Sequence, residues 1–237
     1  MRETILDALA KGELIIGDGA VGTMLQAKGL PPGTIPEAWN RDNPQAVRSV
    51  HRAYVQVGSQ IITANSFGGN RPRLSDAGLA DDLEELNRLG VALAKEEAGD
   101  RAWVAASIGP TGQILQPYGT MSVTDVEAVY AEQLRVVAQT GADIVLIETQ
   151  HDVQEACAAI RMAKRETSLP VFCTFAFDAK GRTMMGLAPD EAAQKAEDAG
   201  ADVVGANCGE GPQAVRVALE GMRTATSLPL MAQANAG

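Results

Sequence analysis

A chain of 237 residues with a formal net charge of -10 and an apolar fraction of 46% is long enough for one large α/β domain. It carries no basic run of the kind that phosphate backbones demand, which excludes nucleic acid as a main partner. No apolar run approaches the roughly 20 residues of a membrane span, and the amino terminus mixes charge and hydrophobe from Arg2 onward, so no membrane partner and a cytoplasmic location are expected. Three cysteines without close spacing form neither a disulfide framework nor a metal knuckle and are expected to be reduced thiols.

In chain order, strands are predicted near 13–17, 60–65, 102–107, 143–148, 170–175, 202–206 and 229–232. Three of them share one cadence, in which a glycine stops a helix, a short polar step follows, an apolar strand rises and its far end turns polar. The copies are Gly58-Ser59-Gln60-Ile61, Gly141-Ala142-Asp143-Ile144 and Gly200-Ala201-Asp202-Val203. Between strands lie helical spacings of three, four and seven: Val47, Val50, Tyr54 and Val57; Leu79, Leu83, Leu86 and Leu93; Val126, Val129, Tyr130 and Val137. The pattern continues at Val153, Cys157 and Ile160, and again at Val215, Ala218, Leu219 and Met222. Longer loops are expected at Gly29 to Gly33 and from Gly109 to Ser122. A repeat of about 35 residues suits a TIM-type (β/α)8 barrel of about 250, with about seven βα units present here and no linker, hence one domain over 1–237.

Catalytic groups of such barrels come from the carboxyl ends of the strands, so Asp18, Asn65, Ser107, Glu148, Cys208 and Asn235 are expected to converge. Gly17-Asp18-Gly19-Ala20-Val21-Gly22 matches the dinucleotide fingerprint in letters, but the next strand comes some 40 residues on, and a carboxylate between the first two glycines opposes a pyrophosphate. Asp18 therefore reads as a site carboxylate, with glycines that let a small ligand approach the backbone. Glu148 is placed to bind a substrate ammonium or to act as a base. His51, on an apolar helix face, and His151, in a loop beside Asp152, read as structural. Cys157 and Cys173 read as small buried hydrophobes rather than metal ligands.

Asp18-Gly19, Thr63-Ala64-Asn65-Ser66-Phe67, Ser107-Ile108-Gly109-Pro110-Thr111-Gly112, Ile147-Glu148-Thr149, Gly181-Arg182-Thr183, Asn207-Cys208 and Asn235-Ala236-Gly237, in that order, make the chain resemble the homocysteine S-methyltransferase family along nearly its whole length. That family includes the homocysteine-binding barrel of cobalamin-dependent methionine synthase and betaine-homocysteine methyltransferase. The resemblance implies zinc-dependent methyl transfer to the thiol of homocysteine, or of a similar thiol, to form methionine. It places Cys208 as the first of three zinc thiolates and Asn235 at an asparagine that in some members lies at the metal when substrate is absent. Asp18, Gly19 and Glu148 fall at positions that hold the amino acid part of the substrate, with Asn65 and Ser107 in the same pocket. The methyl donor stays open between methylcobalamin on a separate domain or subunit, betaine and S-methylmethionine. A corrinoid protein, a second subunit and a homo-oligomer are the partners it allows.

Family members carry a Gly-Gly-Cys-Cys segment at strand 8 that supplies the other two thiolates, whereas this sequence stops at Gly237. About 50 to 60 residues with strand 8 and its helix are thus expected to be missing, leaving two unpaired strand edges and a weak zinc site. Two other readings follow: a corrinoid-linked methyltransferase or demethylase component acting on another substrate, and a non-catalytic incomplete barrel serving as a binding subunit.

Overall fold

The computed structural model describes residues 3–235, so the readings made on Arg2 and on Ala236-Gly237 lie outside the described residues. Six parallel strands run in chain order across one sheet: β1 (Ile61–Thr63), β2 (Trp103–Ile108), β3 (Ile144–Gln150), β4 (Val171–Phe175), β5 (Val203–Cys208) and β6 (Leu230–Ala234). The helices are α1 (Ile5–Ala10), α2 (Val21–Ala27), α3 (Trp39–Asp42), α4 (Pro44–Gln56), α5 (Arg71–Asp76), α6 (Leu83–Ala98), α7 (Val123–Val137), α8 (Val153–Glu166), α9 (Pro189–Ala199) and α10 (Pro212–Arg223). Helix and strand alternate from α6 onward, with α5 and α6 both lying between β1 and β2, and the sheet curls into an incomplete barrel with the longer helices outside.

The strand predicted at 13–17 is reduced to a single parallel bridge, Gly17 to Ile61. Among the described residues its one strand neighbour is the three-residue β1, and Leu14 and Ile16 stay 88% and 58% exposed, so little apolar burial rewards a longer ladder. Two further expectations need correction. Val57 caps the end of α4 and is exposed, and Cys157 is half-buried in a groove between helices, its Sγ donating to the Lys195 carbonyl at 3.4 Å. Cys173 is fully buried in β4, as its apolar strand requires.

Strand alternation divides the core. Ile61, Trp103, Ala105, Ile144, Leu146, Phe172 and Val203 point inward and meet Ile5 and Ala8 of α1, which plugs the lower end of the barrel. Their neighbours Ile62, Val104, Ala106, Val145, Ile147, Val171, Cys173, Val204 and Ala206 point outward against the helices. The α1 plug starts at a capping box, Thr4 Oγ1 accepting from the Asp7 amide at 3.2 Å while the Asp7 carboxylate takes the Thr4 hydroxyl at 2.7 Å. Gly205 permits the close pass of β6, since a Cβ there would lie 2.1 Å from the Met231 carbonyl oxygen.

No helix of the described residues is long and apolar enough to cross a membrane. On the outer side of β6, Leu230, Ala232 and Ala234 join Pro212, Val215 and Leu219 of α10 around an open apolar groove of about 610 Å³.

Candidate active site

Continuing the inward positions past the apolar layer brings Thr63, Ser107, Glu148, Thr174 and Asn207 to the upper end of the lumen. Period two thus converts an apolar floor into a polar layer without any change of strand. Glu148 is its centre. The Ser107 hydroxyl donates to Glu148 Oε1, and the Asn207 amide donates to Oε2 at 3.5 Å. Burial, joined by the charge of Asp18, lifts the Glu148 carboxyl to about 7 against the Ser107 hydrogen bond.

Asp18 stands at the bridge to β1, where its carboxylate accepts from the Thr63 amide at 2.7 Å and the Thr63 hydroxyl at 2.8 Å. Burial still raises it, to about 6. Gly19 beside it is exposed, and the Tyr54 hydroxyl, donating to the Ala20 carbonyl at 3.1 Å, crosses where a Cβ would sit 2.8 Å from it. The charge of Asp18 thus opposes the ionisation of Glu148. An ammonium placed between them would restore both charges.

Cys208 ends β5. Its backbone is left-handed at φ 55°, as is that of Thr149 at φ 60° just after Glu148, and a register shift interrupts β3 against β4 between Ile147 and Gln150. Left-handed backbone in residues with a Cβ costs about 1 kcal/mol or more each and is held in place by surrounding contacts. At Cys208 it departs from the simple alternation, which would send position 208 outward, toward the helices. The thiol lies 3.4 Å from the Asn207 amide nitrogen and 4.0 Å from the Thr149 hydroxyl. Burial pushes this half-buried thiol up, the Thr149 contact opposes that, and the Glu148 charge adds to it.

Asp18, Ser107, Glu148 and Cys208 are therefore linked in one cluster. Asn65 is tied elsewhere: its amide donates to the Pro36 carbonyl and to Asn40 Oδ1, both at 2.8 Å, while Asn40 returns a bond of 2.7 Å to the Asn65 carbonyl. Those bonds pin the segment leading into α3. Asn235 is exposed and donates to the Gly209 carbonyl at 3.1 Å.

The resemblance implies zinc at these donors. Catalytic zinc takes three protein ligands, and Cys208 with the neutral Asn235 gives two. Among the described residues no group of three or more His, Cys, Asp or Glu is gathered in a way that suits a metal. The donor set of the described residues does not fit the ion by itself.

The family model for homocysteine S-methyltransferase matches residues 15–237. The chain belongs to the homocysteine S-methyltransferase family. It is 28% identical over 98% of its length to methionine synthase of Mycobacterium tuberculosis, of which it spans 21%, so it corresponds to about one-fifth of that protein. It is 30% identical to betaine-homocysteine S-methyltransferase 1 of Sus scrofa over 94% of this chain and 82% of the other. The metallated homocysteine methyltransferase MmuM of Escherichia coli superposes with a TM-score of 0.86 at 22% identity, covering 98% of this chain and 87% of that one, which establishes the shared fold.

Within this family member, the sequence reading missed Thr63, Thr149 and Asn207. The signal for Thr63 and Asn207 was alternation, since Thr63 shares a face with Ile61, and Asn207 with Val203 and Gly205. Thr149 gave no such signal, because its placement depends on a backbone φ that side-chain spacing does not report.

Proposed function

We propose that this chain binds homocysteine, with its ammonium between Glu148 and Asp18 and its thiol at Cys208, and accepts a methyl group on that sulfur to give methionine. The observation that carries the reading is the Glu148 to Cys208 cluster at the barrel mouth of a homocysteine S-methyltransferase family member. In the transfer, sulfur forms a bond to the methyl carbon, the donor leaves with the electron pair of its own methyl bond, and the thiol proton passes to solvent. The residues described here bind and orient the substrate and keep the mouth polar. Zinc dependence, with Cys208 as one thiolate and Asn235 nearby, requires ligands beyond these two.

Calorimetric titration with L-homocysteine, beside methylation assays with betaine, S-methylmethionine and methylcobalamin, tests this reading. Glu148→Gln is expected to weaken homocysteine binding about tenfold or more, because it removes one member of a desolvated charge pair. A wild-type protein that neither binds nor methylates homocysteine would refute the reading. The likeness to methionine synthase along 98% of the chain favours methylcobalamin as donor. It also keeps in view a corrinoid-linked role on another substrate, which turnover of methylcobalamin without homocysteine would support. The short donor set favours the binding-subunit reading, which homocysteine binding without turnover on any donor would support.

A further inference from the structure

Two strained residues at the ends of strands that are not neighbours meet at a single side chain. Thr149 and Cys208 lie on β3 and β5, with β4 between them, and Asn207 reaches across that gap from a position only 2% exposed. Its Oδ1 accepts from the Thr149 backbone amide at 3.1 Å, and its Nδ2 donates to the Thr149 hydroxyl at 2.7 Å, closing a two-point ring on one residue. The same Nδ2 stands 3.4 Å from Cys208 Sγ and 3.5 Å from Glu148 Oε2. The residue so gripped is the one whose left-handed backbone sits within the register shift of β3 against β4. A bulge of this kind re-aims the side chains on either side of it.

We infer that Thr149 and Asn207 are positioning residues, a clamp that fixes the span between the Glu148 carboxylate and the Cys208 thiol so that the site measures the length of an amino-thiol. The inference rests on the homocysteine reading for its substrate. With both ends of the ruler held, homocysteine fits and cysteine, shorter by one methylene, cannot engage carboxylate and thiol positions together. One methylene normally discriminates by about 10- to 200-fold in an apolar pocket, and a displacement of 1 Å costs about 100-fold in a reacting geometry. Loss of the clamp is therefore expected to act on discrimination more than on folding.

The test compares Thr149→Ser, Thr149→Gly and Asn207→Ala with wild type in urea unfolding, in calorimetric titration with homocysteine and with cysteine, and in iodoacetamide alkylation of Cys208 without ligand, read by peptide mass spectrometry. Thr149→Gly removes the hydroxyl while relieving the left-handed strain, so it should unfold at the same or higher urea. It should nevertheless bind homocysteine about tenfold more weakly and lose most of the preference over cysteine. Asn207→Ala should bind likewise, and Thr149→Ser should restore wild-type binding and preference. Alkylation of Cys208 should quicken several-fold in Thr149→Gly and Asn207→Ala and stay at the wild-type rate in Thr149→Ser. A Thr149→Gly protein with wild-type affinity and preference would overturn the clamp, as would one less stable than wild type, which would mark the ring as a fold contact. Should wild type fail to bind homocysteine, the functional reading falls separately, and equal alkylation rates in all four proteins would dispose of the clamp on their own.

Discussion

Glu148 and Asp18, both partly buried, and His51, fully buried, are titratable groups whose ionisation the fold opposes, yet they bend the pH dependence in opposite directions. The Glu148 and Asp18 carboxyls, lifted to about 7 and about 6 chiefly by burial, bind protons in the folded chain that the unfolded chain has already released. Their contribution to stability therefore falls as pH rises through those windows. Ligand binding runs the other way, because an ammonium needs the carboxylates charged. Homocysteine affinity is expected to decline below about pH 7 in wild type and to lose most of that dependence in Glu148→Gln, as calorimetry across pH 5.5 to 8 would show. His51 is fully buried on α4 with neither ring nitrogen hydrogen-bonded, and burial drives it down to about 4 against the attraction of Glu97. The unfolded chain takes up this proton near 6.5 and the folded chain only near 4, so stability is lost as pH falls between them. At pH 5 the loss from His51 is about 2 kcal/mol. His51→Leu should remove it, narrowing the difference between urea midpoints at pH 7 and pH 5; an unchanged difference would mean that His51 charges without penalty.

At the scale of elements, the repeated cadence has one physical task. Asp143, leading into β3, accepts from the Val104 amide of β2 at 2.7 Å and from Lys95 at 3.0 Å. Asp202, leading into β5, does the same for the Val171 amide of β4 at 2.7 Å and Lys164 at 2.9 Å. In the first copy Gln60 takes that place, its Oε1 accepting from the Ile16 amide at 3.0 Å. Each copy thus clasps the entry of the preceding strand, satisfying a donor that the parallel ladder leaves open. Because Val171 is fully buried, Asp202→Ala should cost about 1 to 3 kcal/mol in urea unfolding. Asp202→Asn, which keeps an acceptor, should cost clearly less. The lysine contact lies at the surface and is partly solvent-exposed, so Lys164→Ala should cost under about 1 kcal/mol. Equal losses for Asp202→Ala and Lys164→Ala would assign the effect to the ion pair instead.

For the whole molecule, the curled sheet leaves two edges unpaired among the described residues, β6 on one side and the 13–17 segment on the other. Bare apolar surface accompanies both, with Leu14 and Ile16 at one and the groove between α10 and β6 at the other. Such edges recruit further chain or another molecule. Residues 1–237 alone are expected to associate in a concentration-dependent way in sedimentation velocity, and Ala232→Lys, on the groove side of β6, should reduce it. A wild type that stays monomeric at high concentration would contradict this. The donor count leads to a matching expectation for metal. Purified residues 1–237 should hold well below one zinc per chain, and Cys208→Ala should lower that further. Stoichiometric zinc would show that another chain supplies ligands.

Strand periodicity, the glycine stops and the polar strand ends were enough to place the barrel and to put Asp18, Ser107, Glu148 and Cys208 at strand ends, because each is a local property written at fixed spacing. The family likeness rests on the same segments. What spacing could not reach was decided by tertiary contacts. The 13–17 segment became a bridge because pairing depends on what lies beside it, and Asn65 turned to Asn40 and Pro36 because a loop nearly thirty residues away in sequence folds over it. Cys157 left the core because three helices open a groove there. The left-handed backbones of Thr149 and Cys208 are invisible in sequence, since neither residue favours that conformation alone; in the folded chain they lie where Asn207 closes a ring around Thr149 and sets its amide against the Cys208 sulfur.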